Sequence, residues 1–242
     1  TVLSKMLLAS KKYAQQATGV WHGTLHALFL FGINQQGLET IGFQTEAFSG
    51  SGGARTFADG VDLGGELVNP ICRMANVETT EETFAVRYLF RRRMRDSAGA
   101  GKFRGGTGGE YALVAHDASQ GMNYNVSSKG VLYPLAEGLG GGYPGAPANF
   151  FLIRANPVDD RPAELDLLES KDRAPVTKTN VDRSFAQSLE EISGRREATS
   201  WGIFPLTGDD VLYVRWSGGG GFGDPLMRET EKVLVDYRTG LI

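Results

Sequence analysis

Cysteine is nearly missing from this sequence. Cys72 is the single one in 242 residues, which excludes an internal disulfide and fits a reducing compartment, most simply the cytoplasm. Histidine is almost as scarce: His22, His26 and His116 are the three, too few to suggest a self-sufficient histidine metal site. Long apolar runs are lacking as well. The longest, Ala27 to Phe31, falls far short of the roughly 20 residues needed to cross a bilayer. Positive charge is not in excess either: the net charge is −3, so no overall basic field would gather nucleic acid or an anionic membrane surface. What is plentiful is glycine, 33 residues against 9 prolines. The glycines cluster at 50–53, 99–109, 138–142 and 218–223, separated by ordinary globular sequence. That distribution marks tight turns or places where backbones come close, not a low-complexity linker.

The chain opens on a helical pattern, "TVLSKMLLASKKYAQQ", with Leu3, Met6, Leu7 and Tyr13 near one face. No small-residue cleavage site follows an apolar core, so the segment does not read as a signal peptide. The period then changes to two. In "VWHGTLHALFLF", Trp21, Leu25, Ala27, Phe29 and Phe31 share one side and His22, Thr24 and His26 the other. This predicts a strand, paired with "LETIGFQTEAF" across a turn at Asn34–Gly37. In a strand His22 and His26 stand about 13 Å apart at about 3.3 Å per residue, too far for one ion. "TFAVRYLFRRRMR" predicts a long strand, with Phe84, Val86, Tyr88, Phe90 and Met94 on one face and Arg87, Arg91, Arg93 and Arg95 on the other, with Leu89 among them. That arginine row either meets a phosphate, a carboxylate or an acidic partner, or is a solvated face paired with local acids. Further strands are expected at "GEYALVAH", "GMNYNV", "NFFLIRA" and "DVLYVRW". Asp159 to Thr199 reads as polar and irregular, with a weak helical signal at "FAQSLEEI". "ETEKVLVDYRTG" predicts a helix with Thr230 as N-cap and Gly240 as its stop. The expected fold is a single α+β domain over 1–242, predominantly β, with glycine-rich turns between antiparallel or mixed strands and short helices at both ends.

"DSAGAGKFRGGTGGEY", residues 96–111, superficially resembles a nucleotide loop. A Walker loop needs G-x-x-x-x-G-K-[ST]. With Gly101–Lys102 as its Gly-Lys pair, the first glycine falls on Asp96 and the magnesium-binding hydroxyl on Phe103, so both positions fail. The dinucleotide pattern fails at Arg104. The loop also leads into a strand, leaving no helix N-terminus to receive a phosphate.

The same loop resembles the D-S-G-G-A-G-[RK]-[FY]-R-G-G signature of the hydantoinase B subunits, which belong with 5-oxoprolinases and the large subunits of acetone and acetophenone carboxylases. Three more segments follow in the family's order: "EAFSGSGGARTFADGVDLGG", "GLGGGYPGAP" and "SGGGGFGDPLMRETEKVLVDYRTGLI". Small departures occur at Ser97–Ala98, where Ser-Gly is usual, and at Ser49–Gly50, where Gly-Gly is usual. The resemblance covers the C-terminal portion of such a subunit. The family's N-terminal portion, which carries the His and Asp residues taken to hold a divalent metal, is expected to be absent from this chain. No catalytic residue or metal ligand therefore carries over.

The resemblance implies a multisubunit, ATP-dependent enzyme. A hydantoinase A-type partner with an actin-like ATPase fold would hold ATP and Mg and phosphorylate a carbonyl or enol oxygen. The activated species then reacts at the B-type subunit, by water opening a cyclic amide or by a ketone-derived phosphoenol taking up a carbon dioxide unit. An amide or enolate oxygen leaves poorly until phosphorylated, so such a site mainly positions its substrate and stabilises charge. The partners implied are that ATPase, the N-terminal portion of the B-type subunit and a small ketone or cyclic amide, with neither nucleic acid nor membrane. "NVETTEETFAVRYLFRRRMRDSAGAGKFRGG" is a little more similar to the ketone carboxylases, and "WHGTLHALFLFG" either lines an apolar substrate route or is ordinary core. A hydrolase of cyclic amides, or a non-catalytic assembly segment of either enzyme, is the alternative. Substrate or subunit contacts are expected at Glu46, Asp59, Arg91, Arg93 and Arg104.

Overall fold

The computed structural model describes residues 2–21, 26–44, 50–63, 65–66, 69–70, 74–118, 121–154, 189–192, 194–208 and 210–242. In chain order the elements are α1 (Val2–Ala9), β1 (His26–Ile33), β2 (Glu39–Phe43), β3 (Gly65–Glu66), β4 (Asn69–Pro70), α2 (Val77–Thr83), β5 (Val86–Arg93), β6 (Gly109–Ala115), β7 (Met122–Ser128), β8 (Asn149–Arg154), β9 (Arg195–Ala198), β10 (Trp201–Leu206), β11 (Val211–Arg215) and α3 (Thr230–Arg238). The longer strands form two antiparallel sheets, of order β10-β7-β1-β2 and β5-β6-β11-β8-β9. The expected β-dominated α+β class is the observed one.

The sheets face each other across one apolar layer. Leu28, Leu30, Met122, Tyr124, Val126 and Leu206 enter it from the four-stranded sheet, and Tyr111, Leu113, Phe150, Leu152, Leu212 and Val214 from the other. β7 shows the simplest logic: Met122, Tyr124 and Val126 are buried while Asn123, Asn125 and Ser127 alternate outward. β6 and β11 are apolar almost throughout because their sheet is covered on both faces. Ala112, Val114, Val211 and Tyr213 form a second cluster on its far side, with Ile192 and Leu189 over it.

Three expectations change. In β1 the side chains that fill the core are Leu28 and Leu30, while Phe29 and Phe31 lie half-buried on the outer face. The arginine row of β5 is split by a β-bulge between Tyr88 and Phe90. The extra residue, Leu89, reverses the alternation, so Phe90 joins the far-side cluster and Arg91 falls opposite Tyr111 on the inner side. Arg87, Arg91, Arg93 and Arg95 therefore do not share one face. α3 starts at Thr230, with Glu229 rather than Thr230 in the N-cap position; Gly240, at φ +70°, is the expected stop. The β1–β2 turn is as expected, with Gly37 at φ +78° donating to the Asn34 carbonyl. The signal at "FAQSLEEI" lies mostly outside the described residues; its end is a 3₁₀ turn, Leu189–Glu191.

The glycine clusters come together. Segment 218–223 is neither helix nor sheet, and its N–H groups fan out with a period of three. Gly218 and Gly221 donate to the carbonyls of Ala146 and Tyr143 (3.0 and 2.9 Å). Gly219 and Phe222 donate to Gly106 and Phe103 (both 2.9 Å). Gly220 and Gly223 donate to Val20 and Leu139 (both 2.9 Å). Over 218–222, three residues per turn with no internal hydrogen bonds is the pattern of a polyproline II-type helix, and Gly223, at φ +75°, ends it. Here it is hydrogen-bonded on three sides to neighbouring extended segments, and a side chain has no room. A Cβ on Gly218, Gly219, Gly220 or Gly221 would lie 1.6, 2.1, 2.1 or 2.2 Å from a carbonyl oxygen of Ser97, Gly52, Glu137 or Ala100. Four glycine runs distant in sequence thus become one backbone-on-backbone stack below Trp216, whose ring is fully buried against Tyr111.

Candidate functional site

One flank of the stack carries a closed chain of charges. Its parts are the 59–62 segment, the 102–107 loop, the residues after the 3₁₀ turn Pro225–Met227, and α3. Asp62 Oδ1 accepts from Arg104 Nη1 (2.8 Å) and from the Thr107 N–H (2.8 Å), and its Oδ2 faces Arg104 Nη2 (3.3 Å) and Arg93 Nη1 (3.4 Å). Arg104 Nε reaches Asp236 Oδ1 (3.1 Å), and Arg228 Nη2 reaches Asp236 Oδ2 (2.6 Å). Arg228 then grips Asp59 with both Nη1 and Nη2 (2.8 and 2.9 Å), while Asp59 Oδ1 accepts the Arg104 N–H (2.9 Å). The forked guanidinium suits this alternation, because each can hold two carboxylates in fixed geometry. Asp236 is buried at 5 % exposure, whereas the other acid of the helix, Glu231 in its first turn, is exposed.

The electrostatics follow from the pairing. Burial alone raises the Asp59 carboxyl, but hydrogen bonding and charge from Arg228, with the Arg104 N–H, outweigh it and hold the group below its ordinary value. Asp62 behaves alike: burial raises it, and Arg104 with the Thr107 N–H brings it down. Burial pulls Arg104 and Arg228 down, and their aspartates more than reverse that. Carboxylates held ionised and engaged by guanidinium groups are poor proton carriers. The arrangement acts as a clasp that fixes α3 and the 102–107 loop against the glycine stack.

Asp59, Arg93 and Arg104, expected as contacts from the sequence, thus meet in one cluster. Arg91 does not: its Nη1 donates to the Ala75 carbonyl (2.7 Å) and its guanidinium lies 5.9 Å from the Tyr88 ring centre. Arg95 pairs with exposed Asp96 (3.7 Å). Glu46 lies outside the described residues, as does His22. Asp62, Arg228 and Asp236 are the members that sequence reasoning missed. Asp236, a lone acid inside "VLVDY", was the available signal.

A second polar cluster lies at one end of the inter-sheet layer. Arg154 contacts Asp210 (2.6 Å) and Glu197 (3.5 Å). Burial pushes the nearby Tyr124 phenol well above its ordinary range. Among the described residues no group of three or more His, Cys, Asp and Glu could hold a metal ion.

Most N–H groups of the 96–108 stretch are engaged within the fold: Gly99 with Gly219, Lys102 with Gly223, Phe103 with Phe222, Gly105 with Gly99 and Gly106 with Gly52, all backbone carbonyls. The N–H groups of Arg104, Thr107 and Gly108 go to Asp59, Asp62 and Ser97 Oγ. None of these eight N–H groups is left to receive a phosphate.

Residues 2–225 match the family described as hydantoinase B/oxoprolinase. The chain is 28 % identical over 243 residues to the acetophenone carboxylase delta subunit of Aromatoleum aromaticum, covering 99 % of this chain and 34 % of that protein. It is 28 % identical over 194 residues to the acetone carboxylase alpha subunit of Xanthobacter autotrophicus, covering 78 % of this chain and 24 % of that one. The chain therefore spans about a third or less of the length of these curated relatives. Nucleotide-free acetone carboxylase superposes with a TM-score of 0.70 at 24 % identity, over 95 % of this chain and 30 % of that one. The ATP-dependent caprolactamase of Pseudomonas jessenii superposes with a TM-score of 0.64 at 20 % identity, over 96 % and 35 %.

Proposed function

The chain belongs to the hydantoinase B/oxoprolinase family, and on that premise we propose that it is the C-terminal portion of the B-type subunit of an ATP-dependent ketone carboxylase. The observation that carries the carboxylase reading is the match, along 99 % of this chain, to a subunit of acetophenone carboxylase. A cytoplasmic assembly is in keeping with the near-absence of cysteine, and no described helix is long and apolar enough to cross a membrane.

In this reading the chain is one folded unit whose task is positional. ATP and Mg are held by an actin-like ATPase partner, and a divalent metal by the N-terminal portion of the B-type subunit. ATP supplies the phosphoryl group that turns a ketone's enol oxygen into a leaving group. The residues of this chain hold the glycine stack closed through Asp59, Asp62, Arg104, Arg228 and Asp236, and so fix the frame on which the other parts assemble.

The alternative is an ATP-dependent hydrolase of cyclic amides. Its specific support is the likeness in fold to the caprolactamase. ATP hydrolysis by the intact assembly, measured with acetophenone, acetone, hydantoin and 5-oxoproline, separates the two. Turnover driven by a ketone together with bicarbonate is expected; turnover driven only by the cyclic amides would replace the carboxylase reading with the hydrolase one.

A further inference from the structure

On the outer face of the four-stranded sheet, β10, β1 and β2 present large apolar side chains where an open antiparallel sheet ordinarily turns polar ones to water. Its cross-strand register sets Ile203 beside Asn125, Phe29 and Phe43 in one row, and Pro205 beside Asn123, Phe31 and Ile41 in the next. A third row runs from Trp201 through Ser127 to Ala27. Trp201, Ile203 and Ile41 are 69, 63 and 75 % exposed, so the large side chains on both flanks of the face stand open. Along these pairings the charged residue on this side is Glu39, at the hairpin end. An uncharged face of this kind, with large apolar side chains on both sides of the polar β7 residues, marks a contact surface.

We propose that this face seats the further polypeptide that B-type subunits carry beyond the part matched by this chain; the identity of the occupant rests on the reading under Proposed function. Two observations select it. The acetophenone carboxylase subunit has about two-thirds of its length outside the matched part, since 34 % is covered, so in that relative a stretch of polypeptide longer than this whole chain is joined covalently to the equivalent of this fold. The face also lacks the interspersed charge that would mark a transient or electrostatically steered partner, and resembles instead one half of a sheet-packing core. The occupant therefore presents an uncharged, mainly apolar layer. Asn123, Asn125 and Ser127 run down its middle, where they meet backbone or amide groups on the other side.

The test is footprinting of the affinity-purified assembly against the isolated chain, produced with and without its companion subunits. Photochemical carbene labelling of Trp201 and Phe31 is expected to fall about fivefold or more in the assembly. Crosslinks from exposed Lys129, at the end of β7, should run to family-type polypeptide outside the matched region. The double variant Trp201→Glu/Ile203→Glu should unfold at the wild-type temperature yet lose that polypeptide on purification. Equal labelling in both samples, normal assembly of the double variant, or a chain always recovered as a lone monomer would overturn the proposal. So would an isolated chain that dimerises with Trp201 protected, which would make a second copy the occupant. None of these readouts depends on turnover, so protection of Trp201 in an assembly that carboxylates nothing would remove the carboxylase reading while leaving the docking face standing.

Discussion

Substituting Gly219 by alanine places one methyl group in the middle of the glycine stack. The new Cβ would lie 2.1 Å from the Gly52 carbonyl oxygen, 2.6 Å from its carbon and 3.1 Å from the Gly106 nitrogen. All three are backbone atoms, so no side chain can swing aside. The oxygen is also the acceptor of the Gly106 N–H at 2.8 Å, and Gly219 itself links Gly106 and Gly99. Separating these segments overpacks a dense region, at about 1–3 kcal/mol. It also breaks backbone hydrogen bonds, at about 1 kcal/mol each. With two bonds lost, Gly219→Ala is expected to destabilise by about 3–5 kcal/mol, and at about 2–4 °C per kcal/mol to lower Tm by about 10 °C. Gly37→Ala is the matched control. Its Cβ would meet nothing within 4 Å, and the only penalty is its φ of +78°, about 1–2 kcal/mol. Denaturant unfolding followed by the fluorescence of the chain's tryptophans, Trp216 being buried just above the stack, reads both variants. A Gly219→Ala loss no larger than that of Gly37→Ala would refute the backbone-on-backbone account.

Asp62→Ala should cost about 3 kcal/mol, because it leaves Arg104 short of one partner in a mostly buried setting; Arg91→Ala, which gives up the Ala75 carbonyl and the Tyr88 ring but strands no buried charge, should cost about 1 kcal/mol in the same assay. Asp59 and Asp62 titrate below their ordinary value of 3.8 in the folded chain, so the unfolded chain binds protons first as pH falls. Their stabilisation is accordingly complete above about pH 5 and is lost as pH drops below 3.8 toward the folded values; an Asp59→Asn/Asp62→Asn variant should show a flatter acid limb in unfolding curves. Calorimetry of the isolated chain with ATP should give no saturable heat at 1 mM-scale ligand (about −4 kcal/mol of binding); tight binding would contradict the occupied N–H groups of the 96–111 loop.

The strands whose residues obey a single rule were legible from sequence. β7 alternates, and β6 and β11 are apolar almost throughout because both their faces are covered. β10 was not, since Gly202 at φ +128° and Pro205 interrupt the period; an edge strand tolerates both. The β5 face assignment failed at one inserted residue, Leu89, because a bulge leaves no mark in hydrophobic periodicity. α2 was missed because "VETTEET" is polar and short, and it buries only Thr80. The glycine clusters were visible as close-approach sites, yet their convergence was not. Asp59 and Arg228 are 169 positions apart, and Arg104 and Asp236 are 132 apart, so no local pattern announces either pair. Three of the five residues picked as contacts, Asp59, Arg93 and Arg104, fell in the clasp because the family-like segments that contain them are the ones that pack together.

Whether the assembly makes a carbon–carbon bond is the measurement that bears on the whole account. The intact complex containing this chain should be supplied with ATP, a methyl ketone and ¹³C-bicarbonate, and its products followed by NMR. The account predicts ¹³C in the carboxylate of a β-keto acid, formed only while ATP is consumed. ATP consumption with no label incorporated, accompanied by opening of an added cyclic amide, would contradict it.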